Sequence, residues 1–300
     1  MKYTNNYGLP PFVVQWLMVD DYDHDPEVLS ATRLLKPTRM IVLEKRHNDE
    51  LEIDVTDVIA SRYGTAIHDS FEKIALENAI QEHRFHCEVD GQKISGKPDI
   101  LEMVSGHYIL WDIKSTSAWT YLNGSRDEDH KKQLSIYRYI VMKASEGERT
   151  VDIDAKIIYI FTDWSRSKAR QGGKYPPQRI AMKDVKLMTT EETEALIRGK
   201  LGHIDHFLDT PEPALPKCTR DELWPYPKDD EWAVMKEGRK SAVRKGFKTE
   251  TEAQDYMIEY HVKNGYIEHR PSKLNRCNYC NVRPFCSQYK DLEEQGLIAE

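Results

Sequence analysis

Five cysteines in 300 residues are too few for a disulfide scaffold, and three of them crowd between Cys277 and Cys286, as a metal site would need. No apolar run approaches the roughly 20 residues that cross a bilayer. The amino terminus, MKYTNNYGLP, lacks the basic and then apolar order of a secretory signal, so an intracellular chain with no membrane partner is expected. The sequence also has no internal repeat, no low-complexity segment and no G-x-x-x-x-G-K-[ST] phosphate loop, which excludes an ATP-driven motor of its own. Positive charge is not in excess either: 43 Lys and Arg stand against 50 Asp and Glu, a net charge of −7. That excludes a wholly basic nucleic-acid coat but says little about a single groove. What is present is 39% hydrophobic sequence, enough for a real core.

The acidic stretch at residues 20–27 places Asp21, Asp23 and Asp25 like the opening of a calcium loop. It fails as one, because Pro26 stands where glycine must turn and Thr32 where a bidentate glutamate must sit, so it reads as solvated surface. From Thr56, an N-cap, apolar residues recur at Ile59, Tyr63, Ile67, Phe71 and Ile74, the spacing of a helix with one buried stripe, and His68 rides beside it. RFHCEV and QKISGKPDILEMV flank Asp90-Gly91, a strong hairpin signal, and YILWDIK follows Ser105-Gly106-His107, making three antiparallel strands. A helix over 129–144 and a continuous apolar strand, AKIIYIFTDW, of the kind buried on both faces, come next. Thr189 and Glu192 open another long helix with a capping box, and prolines 211, 213, 216, 225 and 227 mark a junction.

Asp112 and Lys114 are separated by one residue on a strand, so period-two alternation sends both side chains to one face. If the strand carrying Asp99 pairs with it, Asp99 and Asp112 converge on one cation. The Ile113 carbonyl then supplies a further oxygen, and the Lys114 ammonium stands beside an attacking water. A bound cation also accounts for charges set among apolar Ile100, Leu110 and Ile113. Glu88 ranks below Asp99 because it borders the Asp90-Gly91 turn.

In order, GTAIH ending in His68, GKPDI with Asp99, WDIKS with Asp112 and Lys114, and QLSIY with Gln133 and Tyr137 resemble the PD-(D/E)XK nucleases, in their RecB-type branch, over roughly residues 30–165. The resemblance implies a restriction-endonuclease-like α/β fold, a mixed sheet flanked by helices. It also implies that His68, Asp99 and Asp112 bind magnesium or manganese, that Lys114 assists catalysis, and that Gln133 and Tyr137 support the site and contact DNA. These last two, four residues apart, share a helix face.

Cys277, Cys280 and Cys286 can wrap one centre, and thiolates select zinc, Cu(I) or iron-sulfur clusters. Cys87 alternates with Phe85 and Val89 as a core residue, which leaves Cys218 as fourth ligand. The trio resembles the carboxy-terminal cysteines of iron-sulfur RecB-type nucleases, including the CRISPR-associated cysteine-rich ones, and so implies a 4Fe-4S cluster, with structural zinc as the alternative. Those families place their first cysteine before the catalytic histidine. This chain has none before Cys87, an arrangement that looks more like phage-type or prophage-type exonucleases. Between Cys218 and Cys277, KEGRKSAVRKGFK gathers Arg239, Lys240 and Arg244 among further cations, which either track phosphates beside nearby aromatics or form a solvated basic helix.

The expected organisation is a nuclease core over 1–217 and a carboxy-terminal region over 218–300. That region holds a basic insert near 228–270 and a cysteine-ligated cluster at 277–286 packing back onto the core. The expected activity is hydrolysis of DNA, as an exonuclease on ends or single strands in recombination, repair or replication. The setting is the cytoplasm of a bacterium or phage-infected cell, with a helicase or recombination partner. A structure-specific or restriction-type endonuclease and a non-catalytic nucleic-acid-binding module are the rival readings.

Overall fold

The structure is a computed structural model that describes residues 2–19, 25, 28–145 and 152–299. The acidic stretch, apart from Asp25, lies outside these residues. The chain divides into two compact units, one of Met1–Lys36 with Glu52–His206 and one of Pro37–Leu51 with Phe207–Glu300.

The first unit begins its site-bearing part with helix α1, Ile59–Glu72. The expected Thr56 cap is not made: a 3-10 turn, Val55–Val58, leads into the helix and is capped by Asp54, which accepts from the Thr56 N–H and hydroxyl, while α1 itself has no side-chain cap. The carboxylate is the stronger acceptor for free N–H groups at a helix start. The apolar stripe of α1 is not buried as expected, since no residue of the helix is buried and Tyr63 is 58% exposed.

Five strands follow α1: β1 (Ala79–Gln81), β2 (Phe85–Val89), β3 (Gln92–Gly96), β4 (Ile100–Val104) and β5 (His107–Thr116). The turn between β2 and β3 has positive φ at both Asp90 and Gly91, the primed geometry that a two-residue hairpin demands. The second strand of that expected hairpin is in fact two. Pro98 has no N–H to give a ladder, and at Lys97-Pro98-Asp99 the chain leaves β3 and enters β4, which pairs antiparallel with β5. Asp99 therefore sits at the break between two strands, not late within one.

Helix α2, Asp127–Ala144, starts with three acids in its first turn, favourable to its dipole. It leads to β6, Ile153–Phe161, which runs parallel to β5. The order β7-β6-β5-β4-β1, with β7 at Ile180–Asp184, makes a mixed five-stranded sheet. β2 and β3 join Leu29–Ser30 in a second, three-stranded sheet. One face of β6 is buried, while the other alternates between half-buried and exposed, so it is not covered equally on both sides as expected. Leu110, Leu134, Ile136, Ile140, Ile157 and Phe161 fill the core between sheet and α2. Helix α3, Thr190–Phe207, carries the full reciprocal capping box: the Thr189 N–H donates to Glu192, and the Glu192 N–H donates to the Thr189 hydroxyl.

The second unit contains helix Thr38–Arg46, a carboxy-terminal helix Ser287–Glu294 and a small sheet. In that sheet β8 (Glu231–Lys236) lies between β9 (Arg244–Phe247) and β10 (Gly265–Arg270), with helix α4 (Glu250–Glu259) preceding β10. The basic segment is thus the turn and second strand of a hairpin, not a helix.

On α2, His130 Nδ1 lies 3.1 Å from the Tyr159 hydroxyl. Burial, with the charges of Lys114 and Arg126 behind it, pushes this imidazole down to about 4 from 6.5. A depressed histidine stabilises the fold above its unfolded value and loses that contribution as pH falls from about 6.5 towards about 4. Urea unfolding should therefore show a loss on the order of 2 to 3 kcal/mol across that window. His130→Phe should remove this component, and an identical pH profile for variant and wild type would refute it.

Candidate active site and metal centre

In the first unit the parallel and antiparallel neighbours of β5 set the site. Ile100 pairs with Trp111, so the residue before it, Asp99, arrives next to Asp112 and Ile113. Asp99 Oδ2 accepts the Ile113 N–H at 2.5 Å, tying the strand break to β5. From α1, His68 reaches the same strand, with Nε2 3.1 Å from the Ile113 carbonyl oxygen and Nδ1 3.2 Å from Asp99 Oδ1.

Asp112 is 1% exposed. Lys114 Nζ donates to its Oδ1 at 3.0 Å and stands 2.9 Å from Oδ2 at an angle that makes no hydrogen bond, so Oδ2 is a buried oxygen with no hydrogen-bond partner among the described residues. Burial pushes the Asp112 carboxyl up, and Lys114 opposes that shift. Burial works against the Lys114 ammonium, but Asp112 and then Asp99 outweigh it and raise its pKa, so it stays charged at neutral pH. His68 is pushed up to about 10 by its bonds to Asp99 and Glu82. A buried carboxylate oxygen with no hydrogen bond, a second carboxylate, an imidazole and a main-chain carbonyl are the hard and borderline donors that magnesium or manganese takes. The residues present fit such a cation.

One member escaped the sequence reading. Glu82, between β1 and β2, brings Oε1 to 3.3 Å from His68 Nδ1, and His68, Glu82 and Asp99 offer ligand atoms within 4.8 Å of one another. Burial opposes its ionisation, but His68 and Lys97 outweigh it and hold the carboxyl below the usual range. Nothing in the spacing of NAIQEHRF marks it. Its place depends on φ of 48° at Glu82 and on partners 14 and 15 residues away.

Gln133 Nε2 donates to the Tyr137 hydroxyl at 2.9 Å, so the expected pair is joined on one face of α2. Tyr137 packs against Gly96, three residues before Asp99. Glu88 is exposed on β2, away from this cluster.

In the second unit Cys218, Cys277, Cys280 and Cys286 line one pocket with Arg39, Leu43, Val282 and Tyr289. Burial pushes Cys218 up to about 12 and Cys277 up to about 11, and the neighbouring thiols push the same way. Arg39, 2% exposed, donates through Nε to Cys286 Sγ at 3.1 Å and pairs with Glu212. Four soft donors facing one apolar pocket, one of them bonded to a buried cation, fit a thiolate-ligated metal. Cys87 packs against the core of the first unit instead. Arg239, Lys240 and Arg244 are exposed along the hairpin of β8 and β9.

The first unit thus carries a carboxylate–histidine–lysine site of the kind that serves metal-assisted hydrolysis, on a mixed sheet. The chain belongs to the PD-(D/E)XK nuclease superfamily, whose family profile matches residues 52–287. Members of that superfamily are phosphodiester hydrolases that usually use magnesium or manganese. Among solved structures, the crystal structure of SSO0001 is similar over 64% of this chain and 84% of that one, at 19% identity and a TM-score of 0.44. Among curated proteins, none matches. No helix among the described residues is long and apolar enough to cross a membrane.

Gly96 is the close approach that seats Tyr137. A methyl there would meet Tyr137 Cδ1 at 2.9 Å and Ile140 Cδ1 at 3.2 Å. Gly96→Ala should cost about 1 to 3 kcal/mol of stability in chemical unfolding, the usual toll of overpacking. It should also lower cleavage by displacing Tyr137 from Gln133. Unchanged stability and activity would show that neither contact is tight.

Proposed function

We propose that the protein is a DNA exonuclease of the RecB-type branch, acting on ends or single strands in recombination, repair or replication, beside a helicase or recombination partner. The observation that carries the nuclease reading is that His68 and Asp99 meet each other and the Ile113 main chain, next to buried Asp112, whose Oδ2 has no hydrogen bond. Asp99, Asp112, His68 Nε2 and the Ile113 carbonyl would hold the cation. When bound, magnesium or manganese supplies an acidified water and neutralises charge developing on the phosphate. Lys114, paired with Asp112, donates a hydrogen bond to the water or the phosphate. Asp99 fixes the Ile113 main chain by accepting its N–H, which aims the carbonyl into the site. Gln133 and Tyr137 support the site from α2, and their burial speaks against the DNA contact that the resemblance implies for them. Arg239, Lys240 and Arg244 track the DNA backbone, a role that their exposure on a hairpin supports. The preference for ends over internal sites rests on likeness to the RecB-type branch.

Manganese-dependent digestion of end-labelled linear DNA beside covalently closed circles tests this. The protein should degrade linear DNA and spare circles. Asp112→Ala and Lys114→Ala should each lower kcat by roughly a hundredfold or more while DNA binding persists. Cleaved circles would turn the reading to a structure-specific or restriction-type endonuclease, and full activity in Asp112→Ala would refute the site.

The second part of the proposal is that Cys218, Cys277, Cys280 and Cys286 ligate a 4Fe-4S cluster. The shared pocket and the Arg39 bond to Cys286 support a thiolate centre, since a buried guanidinium beside sulfur is stabilised when that sulfur is charged. Protein prepared without oxygen should be brown, with about four irons per chain. Replacing Cys277, Cys280 or Cys286 should remove the colour and lower the melting temperature. Stoichiometric zinc without iron would replace the cluster by a structural zinc site.

A further inference from the structure

His68 has two ring nitrogens, and the site gives each a different neighbourhood. Nε2 lies 3.1 Å from the carbonyl oxygen of Ile113, the residue after Asp112. Nδ1 faces Glu82 Oε1 at 3.3 Å and Asp99 Oδ1 at 3.2 Å. Asp99 already gives Oδ2 to the Ile113 N–H, whereas Glu82 Oε1 lies in hydrogen-bond geometry to Nδ1, which makes Glu82 the acceptor for the Nδ1 proton.

Glu82 is itself held from the strand break that carries Asp99. Its Oε2 lies 2.7 Å from Lys97 Nζ, and its backbone N–H donates to the Asp99 carbonyl oxygen at 2.9 Å. Its φ of 48° is left-handed, a conformation that a non-glycine residue seldom adopts and keeps only where surrounding contacts enforce it.

We propose that Glu82 is the positioning residue of His68: it accepts the Nδ1–H, so that the neutral imidazole presents the Nε2 lone pair to the divalent cation, while Lys97 fixes Glu82. Glu82 suits this role better than that of a ligand because both its oxygens are already engaged, Oε1 with His68 Nδ1 and Oε2 with Lys97 Nζ. A carboxylate behind a metal-bound histidine fixes its tautomer and raises its basicity.

The inference rests on the proposed metal site but not on cleavage, so manganese binding by titration calorimetry tests it directly. Glu82→Ala should bind manganese about 10- to 100-fold more weakly, and cleavage should return at saturating manganese. Glu82→Gln keeps an acceptor oxygen for the Nδ1–H and should stay within about threefold of wild type. Lys97→Ala, which loosens Glu82 without removing it, should fall between them and carries the same test should Glu82→Ala not fold. Wild-type affinity in both Glu82→Ala and Lys97→Ala would overturn the proposal. Equal losses in Glu82→Gln and Glu82→Ala, unrecovered at saturation, would overturn it by making Glu82 a ligand. Asp112→Ala separates the two levels: if it also binds manganese normally, the metal site itself is misplaced, whereas loss there alone leaves only the role of Glu82 refuted.

Discussion

A carboxylate almost wholly removed from water, with one oxygen lacking a hydrogen bond, is an expensive thing to place in the middle of a sheet. Burial of a charge costs several kcal/mol even after relaxation, and only close partners offset it. Asp112 is in that position, and the groups around it answer to it. Its own strand supplies Lys114 two residues on. The neighbouring strand begins at a proline break that delivers Asp99 to the Ile113 N–H. A helix brings in His68 from the other side. These charged groups sit beside a core of Leu110, Leu134 and Ile157, and the proposed cation would join them, as the magnesium or manganese usual in the PD-(D/E)XK nuclease superfamily would.

The second unit solves a related problem with opposite sign. Arg39 is a buried cation compensated by Glu212, by the Leu215 carbonyl and by the sulfur of Cys286. The cysteines at 277–286 and Cys218, 59 residues before Cys277 in sequence, meet at one pocket next to it. A metal there would close the long intervening segment that contains β8, β9, α4 and β10. Its contribution to stability would come from that closure as well as from the ligand bonds.

Much of the first unit was legible because the relevant signals are local. Period-two alternation put Asp112 and Lys114 on one face, Asp90-Gly91 announced its turn, and Thr189 with Glu192 announced a helix start that the structure reproduces bond for bond. The misreadings share a physical cause, which is that the deciding partner is not local or the local signal is degenerate. Thr56 and Asp54 are both good caps, and only the geometry shows the carboxylate taking the role. The run through Gly96 and Pro98 reads as one strand until two different sheets claim its halves. The helical period from Ile59 to Ile74 is real, yet Tyr63 and Ile74 stay largely exposed, because periodicity gives a face and not what covers it. Glu82 was illegible, since its role comes from a left-handed backbone and from His68 and Lys97. The basic segment has no clear period, so its hairpin was invisible and its charge alone stood out.

The most direct test of the account is a crystal structure of the protein soaked in manganese, with the metal located by its anomalous scattering. The account predicts a peak bonded to Asp112 Oδ2 and shared with Asp99, His68 Nε2 and the Ile113 carbonyl. A peak confined to the Glu82 side of His68, or none near Asp112 at saturating manganese, would contradict it.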